Sequence, residues 1–184
     1  MNNDALDQAS LSSGSFSNFG VVSFDVTFSG VGGFQNFGTI TDNLTVTGAS
    51  FDISNDGFIH GSFQIGDLAD TLYANKALSR VAVFGGGGAD LLVGSGFDDF
   101  VNSGTGDDTL LGGGGHDGLF SYDGDDLLLG GADQDRLFGG LGNDYLSGGS
   151  GNEMLAGAGG KDSLYGNEGR DRRLELHFDR RVGE

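Results

Sequence analysis

The chain has no cysteine, no proline and no tryptophan among its 184 residues. Without Cys, neither a disulfide nor a thiolate-bound metal can staple the fold. Without Pro, every reversal of direction has to be made by glycine and short polar residues. Basic residues are scarce as well: nine Lys and Arg stand against 27 Asp and Glu, for a formal net charge of −18. Such a balance excludes nucleic acid as a natural partner and makes a compact chain repel itself unless cations are taken up on folding. The basic residues all lie at Lys76 or beyond, and Arg170, Arg172, Arg173, Arg180 and Arg181 crowd the C-terminal end. No apolar run approaches the roughly 18 residues of a transmembrane helix. The opening MNNDALDQAS has neither the basic nor the apolar region of a signal peptide, so no membrane span and no N-terminal export signal are expected.

What is present in excess is glycine, 38 residues, beside 15 Phe and 36% hydrophobic residues. A flexible linker would not carry that much apolar mass, so the glycines must serve a repeated backbone geometry. Aligned on its acids from residue 90, the chain repeats every nine residues: Asp90, Asp99, Asp108, Asp117, Asp126, Asp135, Asp144, Glu153, Asp162 and Asp171. The units run from GGGGADLLV at 85–93 to GNEGRDRRL at 166–174, with consensus GGxGxDxUx, U being apolar. The apolar eighth position is filled by Leu92, Val101, Leu110, Leu119, Leu128, Leu137, Leu146, Leu155 and Leu164. One inward side chain per unit is what a three-residue strand supplies, since alternate residues point to opposite faces. The six residues before it form a turn in which glycine permits φ > 0.

These units resemble the RTX, or hemolysin-type, calcium-binding nonapeptide repeat family. The resemblance implies an all-β fold, an elongated right-handed parallel β-roll or β-solenoid in which two units make one coil of about 18 residues, so that residues 18 apart stack and leucines of two opposing sheets meet inside. The chemistry of the pattern agrees. An acid at every ninth position beside exposed glycine carbonyls offers only oxygen ligands, which suit Ca²⁺ better than Mg²⁺ or Zn²⁺. In the family each ion lies between stacked turns on one edge and takes the sixth-position acid and backbone carbonyls. Carried onto this sequence, the ligand set is the ten acids above with Gly86, Gly88, Gly104, Gly106, Gly113, Gly115, Gly124, Gly140, Gly142, Gly149, Gly151 and Gly160, and the number of ions is on the order of eight. Asp98, Asp107 and Asp125, at the fifth position, are expected to face solvent.

Alternate units fall on opposite edges. Asp90, Asp108, Asp126, Asp144 and Asp162 share the first; Asp99, Asp117, Asp135, Glu153 and Asp171 share the second. Departures at the fourth and sixth positions cluster on the second edge, where Phe97 and Asp133 replace glycine and Glu153 replaces the usual Asp, and Arg173 takes an apolar position there. A nearly continuous ion ladder is therefore expected on the first edge and a patchy one on the second. Outward positions carry Leu91, Val93, Leu111, Leu127 and Leu129 on one face and Phe100, Phe120 and Phe138 on the other. They read either as tolerated surface residues or as a contact patch.

Upstream, FSNFGVVSFDVTFSG at 16–30 and FQNFGTITDNLTVTG at 34–48 match at an offset of 18, Asn18 with Asn36, Gly20 with Gly38 and Gly30 with Gly48 among others, and Gly66, 18 beyond Gly48, extends the register once more. Together with the alternation of Val22, Phe24, Val26 and Phe28, the offset predicts calcium-poor coils with a Phe-filled core over 16–75, an independent β-sandwich being the alternative. Residues 76–84 form a transition, since Asp70 and Asp90 are 20 residues apart. Residues 1–15 are expected to lack order, 85–174 to form the calcium-binding roll, and 175–184 to hold a last strand (Leu174, Leu176, Phe178) and a basic tail.

The sequence carries no familiar catalytic pattern. HExxH and GxSxG do not occur, the glycine runs lack the Lys-Ser/Thr of a phosphate loop, and His60, His116 and His177 are scattered. No enzyme is expected. The functional expectation is a calcium-binding module that folds on Ca²⁺ and, by the resemblance, is extracellular after type I export. The ending RDRRLELHFDRRVGE is shorter and more basic than the tails that direct such export. Two other readings stay open. One is a structural or adhesive spacer or self-associating rod at a cell surface. The other is a polysaccharide-active β-helix or its accessory module, for which Asp25, Asp42, Asp52 and Asp56 are the N-terminal acids outside the repeats.

Overall fold

A computed structural model describes residues 9–11, 14–22, 26–29, 32–41, 43–47 and 51–174. Among these there is no helix, and every sheet is parallel throughout. A ten-stranded sheet runs from Ala9–Leu11 through Val26–Ser29, Leu44–Thr47, Phe63–Gln64 and Ala82–Gly87 to Arg172–Leu174, and a nine-stranded sheet from Gly14–Asn18 through Gly32–Asn36, Phe51–Asn55, Thr71–Tyr73 and Leu91–Val93 to Ser163–Gly169. Apart from three short strands of a third sheet, consecutive strands alternate between these two, so the chain winds as a β-solenoid of about eight turns.

In the repeat region the register is 18 residues per coil. Leu92, Leu110, Leu128, Leu146 and Leu164 pair in one sheet; Val83, Val101, Leu119, Leu137 and Leu155 pair in the other. All ten side chains are buried, which leaves a core only two side chains thick. Each such side chain contributes about 2 kcal/mol on burial. Arg173 continues the second column, pairs with Leu155 and is exposed, so the apolar stack ends there.

The N-terminal coils belong to the same two sheets, which removes the separate sandwich as an alternative. They differ from the roll in having a third sheet of Val21–Val22, Thr39–Ile40 and Phe58–Ile59. Val22, Ile40 and Ile59 point from it into a broader core with Phe34, Leu44, Ile53 and Phe63. The expected Phe-filled core is corrected in part: Phe34 and Phe63 are buried, but Phe19, Phe37 and Phe58 are exposed, and the rings of Phe19 and Phe37 stack outside with centroids 5.1 Å apart. Phe19 and Phe37 sit in the turns directly after Gly14–Asn18 and Gly32–Asn36, and Phe58 is the outward residue of Phe58–Ile59.

The constant 18-residue offset is also corrected. Phe16 pairs with Phe34, 18 apart, but Phe34 pairs with Ile53 and Leu44 with Phe63, 19 apart, and Leu72 with Leu92, 20 apart. Gly57 stacks on Gly38, 19 residues earlier, where a Cβ would overlap the Gly38 carbonyl oxygen; Gly30 and Gly48, the series that Gly66 extends, lie outside the described residues. The residues in excess of nine between Leu72 and Val83 go into a turn closed by the Ala77 amide on the Ala74 carbonyl at 2.8 Å, with Ala74, Ala77 and Val81 buried where the third sheet stops. Strands also begin earlier than expected: Ala9–Leu11 pairs with Val26–Phe28 and Gly14–Asn18 with Gly32–Asn36. Main-chain pairing to an existing edge needs no apolar sequence, which is why this polar stretch gave no signal. The predicted strand residues Leu176 and Phe178 lie outside the described residues.

Candidate metal centre

The turns joining the sheets are built on one rule. From Gly86 to Gly169 the second and fourth residues of every unit have positive φ, except in the unit Gly94–Asp99. All twelve glycines named above obey it, and so do Gly131 and Gly169, which the sequence reading passed over although both fit the consensus. Where the residue is not glycine the backbone keeps its shape: Tyr122, Asp133, Ala158 and Asn167 have φ of 76°, 75°, 78° and 70°, at a cost of about 1–2 kcal/mol each. Glycine is also needed for space. A Cβ at Gly106, Gly124 or Gly142 would overlap the carbonyl oxygen of the residue 18 before it, Gly88, Gly106 or Gly124. The carbonyls at these positions therefore line up turn upon turn along each edge.

The sixth-position acids lie inside this stack. Asp90, Asp99, Asp108, Asp117, Asp126, Asp135, Asp144 and Glu153 are all buried; Asp162 and Asp171, in the last two turns, are partly exposed. Each Asp but Asp99 uses Oδ1 to accept the amide of the acid one coil earlier; Asp99 accepts that of Val81. Asp90 donates to Asp108 at 2.8 Å, Asp108 to Asp126 at 2.8 Å, Asp126 to Asp144 at 3.0 Å and Asp144 to Asp162 at 3.1 Å. On the other edge Asp99 donates to Asp117 at 2.8 Å and Asp117 to Asp135 at 2.9 Å. Glu153 interrupts this second ladder: its extra methylene carries the carboxylate over Gly148 and Gly151, and neither of its oxygens has a hydrogen-bond partner.

The other oxygen of each Asp folds back over its own turn, so that a Cβ at Gly112, Gly139 or Gly157 would fall on Oδ2 of Asp117, Asp144 or Asp162. Oδ2 of Asp90, Asp108, Asp117, Asp126, Asp135 and Asp144 is buried without a hydrogen-bond partner. A buried carboxylate left in that state is costly, and its protonation shows the cost. Burial, opposed by the amide from Asp70, pushes Asp90 up to about 7. Burial, aided by Asp99 and Asp135, does the same to Asp117. Asp135 and Asp144 rise to about 6, also by burial. Glu153 rises to about 7 by burial and by its neighbour Asp171. Burial raises Asp99, Asp108 and Asp126 as well. The hydroxyls of Ser103 and Ser121 offset part of the rise at Asp108 and Asp126, though neither reaches the free Oδ2 with hydrogen-bond geometry.

The donor set fits a hard divalent cation. Seven turns bring one buried carboxylate with an unpartnered oxygen each, and the carbonyls around it supply further oxygen ligands within the stack. Among the described residues no three His, Asp or Glu side chains converge, so an ion held here takes most of its ligands from the backbone. That matches Ca²⁺, which accepts six to eight oxygens in loose geometry, and it does not match Zn²⁺.

The fifth position is not merely solvated. Asp98, Asp107 and Asp125 are exposed, but Oδ1 of each accepts the amide of the fifth residue one coil later, from His116 at 2.8 Å, Asp125 at 2.9 Å and Asn143 at 2.7 Å. His116 continues the series with Nδ1 accepting from Gln134 at 3.0 Å. Two hydrogen-bond ladders thus flank each line of carbonyls. Of the acids considered for polysaccharide cleavage, Asp25 and Asp42 lie outside the described residues. Asp56 is 4.0 Å from Lys76, and Asp52 lines a cavity of about 260 Å³ with Gln35, Ser54 and Tyr73 that contains no second acid.

The family model of the RTX calcium-binding nonapeptide repeat (4 copies) matches residues 84–119, 120–152 and 147–172. No curated protein and no solved structure matches the chain.

Proposed function

Because residues 84–172 belong to the RTX calcium-binding nonapeptide repeat family, we propose that this calcium-binding module is a folding switch, unfolded in its repeats at low calcium and folded when Ca²⁺ fills the turns. The observation that carries the reading is the row of buried, unpartnered carboxylate oxygens from Asp90 to Asp144. In the absence of a cation they oppose folding, and a core two leucines thick does not offset them. These carboxylates and the neighbouring carbonyls would hold a cation that supplies the missing partner, and since each coil contacts only its neighbours, occupancy of one turn would favour the next. The sixth-position acids that keep an unpartnered oxygen, Asp90, Asp108, Asp117, Asp126, Asp135, Asp144 and Glu153, would hold the ions, with carbonyls of the second- and fourth-position residues completing the shell.

A switch of this kind suits a protein exported unfolded from a calcium-poor compartment and folded outside, which supports an extracellular location. The test is calcium binding and folding measured together on the full chain, with Mg²⁺ as the competitor. Tight binding without structural change would overturn the switch.

One observation favours a second role as a self-associating surface rod. Phe84, Phe100, Phe120 and Phe138 form a continuous ring ladder along the outer face, with centroids 5.8, 5.4 and 6.1 Å apart, and Gly118 leaves the room that the rings of Phe100 and Phe120 occupy. Sedimentation velocity over a range of concentrations in calcium distinguishes the two: a calcium-dependent oligomer supports the rod, and a monomer at all concentrations removes it.

A further inference from the structure

The unit Gly94–Asp99 breaks the rule that all the other turns obey. Ser95 and Phe97 occupy its second and fourth positions without positive φ. Ser95 instead turns inward: its amide donates to Oδ2 of Asp99 and its hydroxyl lies 2.9 Å from both carboxylate oxygens. Val81 donates its amide to Oδ1 at 2.6 Å. Among the buried sixth-position acids from Asp90 to Glu153, Asp99 alone has no unpartnered oxygen. Its carboxylate is closed by the protein.

The coils before it are closed by other means. Asn18, Asn36 and Asn55, at the ends of three stacked strands, form a buried amide ladder. Asn18 Nδ2 donates to Asn36 Oδ1 at 2.9 Å, and Asn36 Nδ2 to Asn55 Oδ1 at 2.8 Å. The same oxygens accept the amides of Gly20, Gly38 and Gly57 at 3.1, 3.3 and 3.4 Å. An amide is neutral and is both donor and acceptor, so stacked copies satisfy one another without a cation, and only Nδ2 of Asn55, at the end of the ladder, stays unpartnered. The third sheet adds Val22, Ile40 and Ile59 to the core here, where the repeat coils have only a pair of leucines.

Resting on the calcium reading of the repeats, we infer that the coils before Asp90, sealed on the second edge by the Ser95–Asp99 turn, are a metal-independent cap that stays folded without calcium and templates the calcium-dependent coils. Asp99 is then not an ion ligand, and the ion ladders begin at Asp90 on the first edge and at Asp117 on the second. In a solenoid whose stability is a sum of units and nearest-neighbour contacts, a standing edge removes the cost of nucleating the first metal-bound coil. The repeats then fold outward from it.

The test uses the full chain. Hydrogen exchange read by mass spectrometry in EGTA is expected to leave residues 34–65 protected and 109–165 exchanging freely, with calcium protecting both. Equilibrium dialysis with ⁴⁵Ca then counts ions. Asp117→Asn is expected to lose at least one ion per chain and Asp99→Asn none. The double substitution Ser95→Gly with Phe97→Gly, which restores the repeat's glycines, is expected to gain one. Free exchange of 34–65 in EGTA overturns the cap. Loss of an ion in Asp99→Asn, or no gain in the double variant, overturns the closed turn. A chain that binds no calcium at all refutes the calcium reading instead, while protection of 34–65 in EGTA still reports on the cap by itself.

Discussion

The main-chain amide of Asp108 donates to Oδ1 of Asp126, eighteen residues later, at 2.8 Å. Asp126, like Asp90, Asp108, Asp117, Asp135 and Asp144, thereby holds the coil before its own with one oxygen and leaves the other for a cation. Asp126→Ala removes both functions. In calcium it is expected to cost at least the 1.5–3 kcal/mol or so of a hydrogen bond to a charged group, seen as a lower Tm by circular dichroism, and to raise the calcium midpoint. An unchanged midpoint would mean that Asp126 binds no ion.

Gly124 and Gly96 separate geometry from composition. Gly124 has φ of 144°, and a Cβ there would overlap the Gly106 carbonyl oxygen, whereas Gly96 has nothing within 4 Å and no positive φ. Gly124→Ala is expected to destabilise the calcium-loaded chain by more than the roughly 1–2 kcal/mol of backbone strain, and Gly96→Ala to leave Tm within a degree or two. Equal effects in thermal melts would count against the stacked-turn geometry.

Glu153 is the place where the chain can be improved. Its longer side chain leaves both oxygens unpartnered. Glu153→Asp is expected to restore the rung to the Asp135 amide and add about 1 kcal/mol, measured by denaturant unfolding in calcium. A loss of stability would show that the longer acid is needed to reach an ion.

Acidity acts in opposite directions with and without metal. Asp90 and Asp117 are raised to about 7 in the folded chain, above their ordinary value of 3.8, by burial. Between those limits the folded state holds more protons than the unfolded one, so the metal-free roll loses stability as pH rises through this window and is most stable toward its acid end. Calcium competes with those protons, so its affinity is expected to rise from pH 5.5 to 7.5. Calcium titrations at both pH values, beside circular dichroism of the metal-free chain at each, check the two signs.

The repeats were legible because each unit maps one residue to one role: the acid to the sixth position, the leucine to the core, the glycines to positive φ. Hydrogen bonds that join residues one coil apart were not, because they depend on register. The fifth-position ladder of Asp107 and Asp125 looked like solvated charge, and nothing in the repeat pattern singled out Ser95. Its hydroxyl and amide close Asp99 only because the turn leaves the repeat conformation. The drift of coil length to 19 and 20 residues was hidden for a related reason. In the broad N-terminal core Ile53 and Phe63 stack on Phe34 and Leu44, a relation of volume and not of residue identity.

The most direct measurement is far-UV circular dichroism of the full chain during a CaCl₂ titration, with MgCl₂ as the control. The expected result is a partial β signal in EGTA, from the coils before Asp90, followed by a cooperative rise with calcium that magnesium does not reproduce. A β signal already complete in EGTA would contradict a metal-driven roll and show that leucine stacking alone carries the repeats.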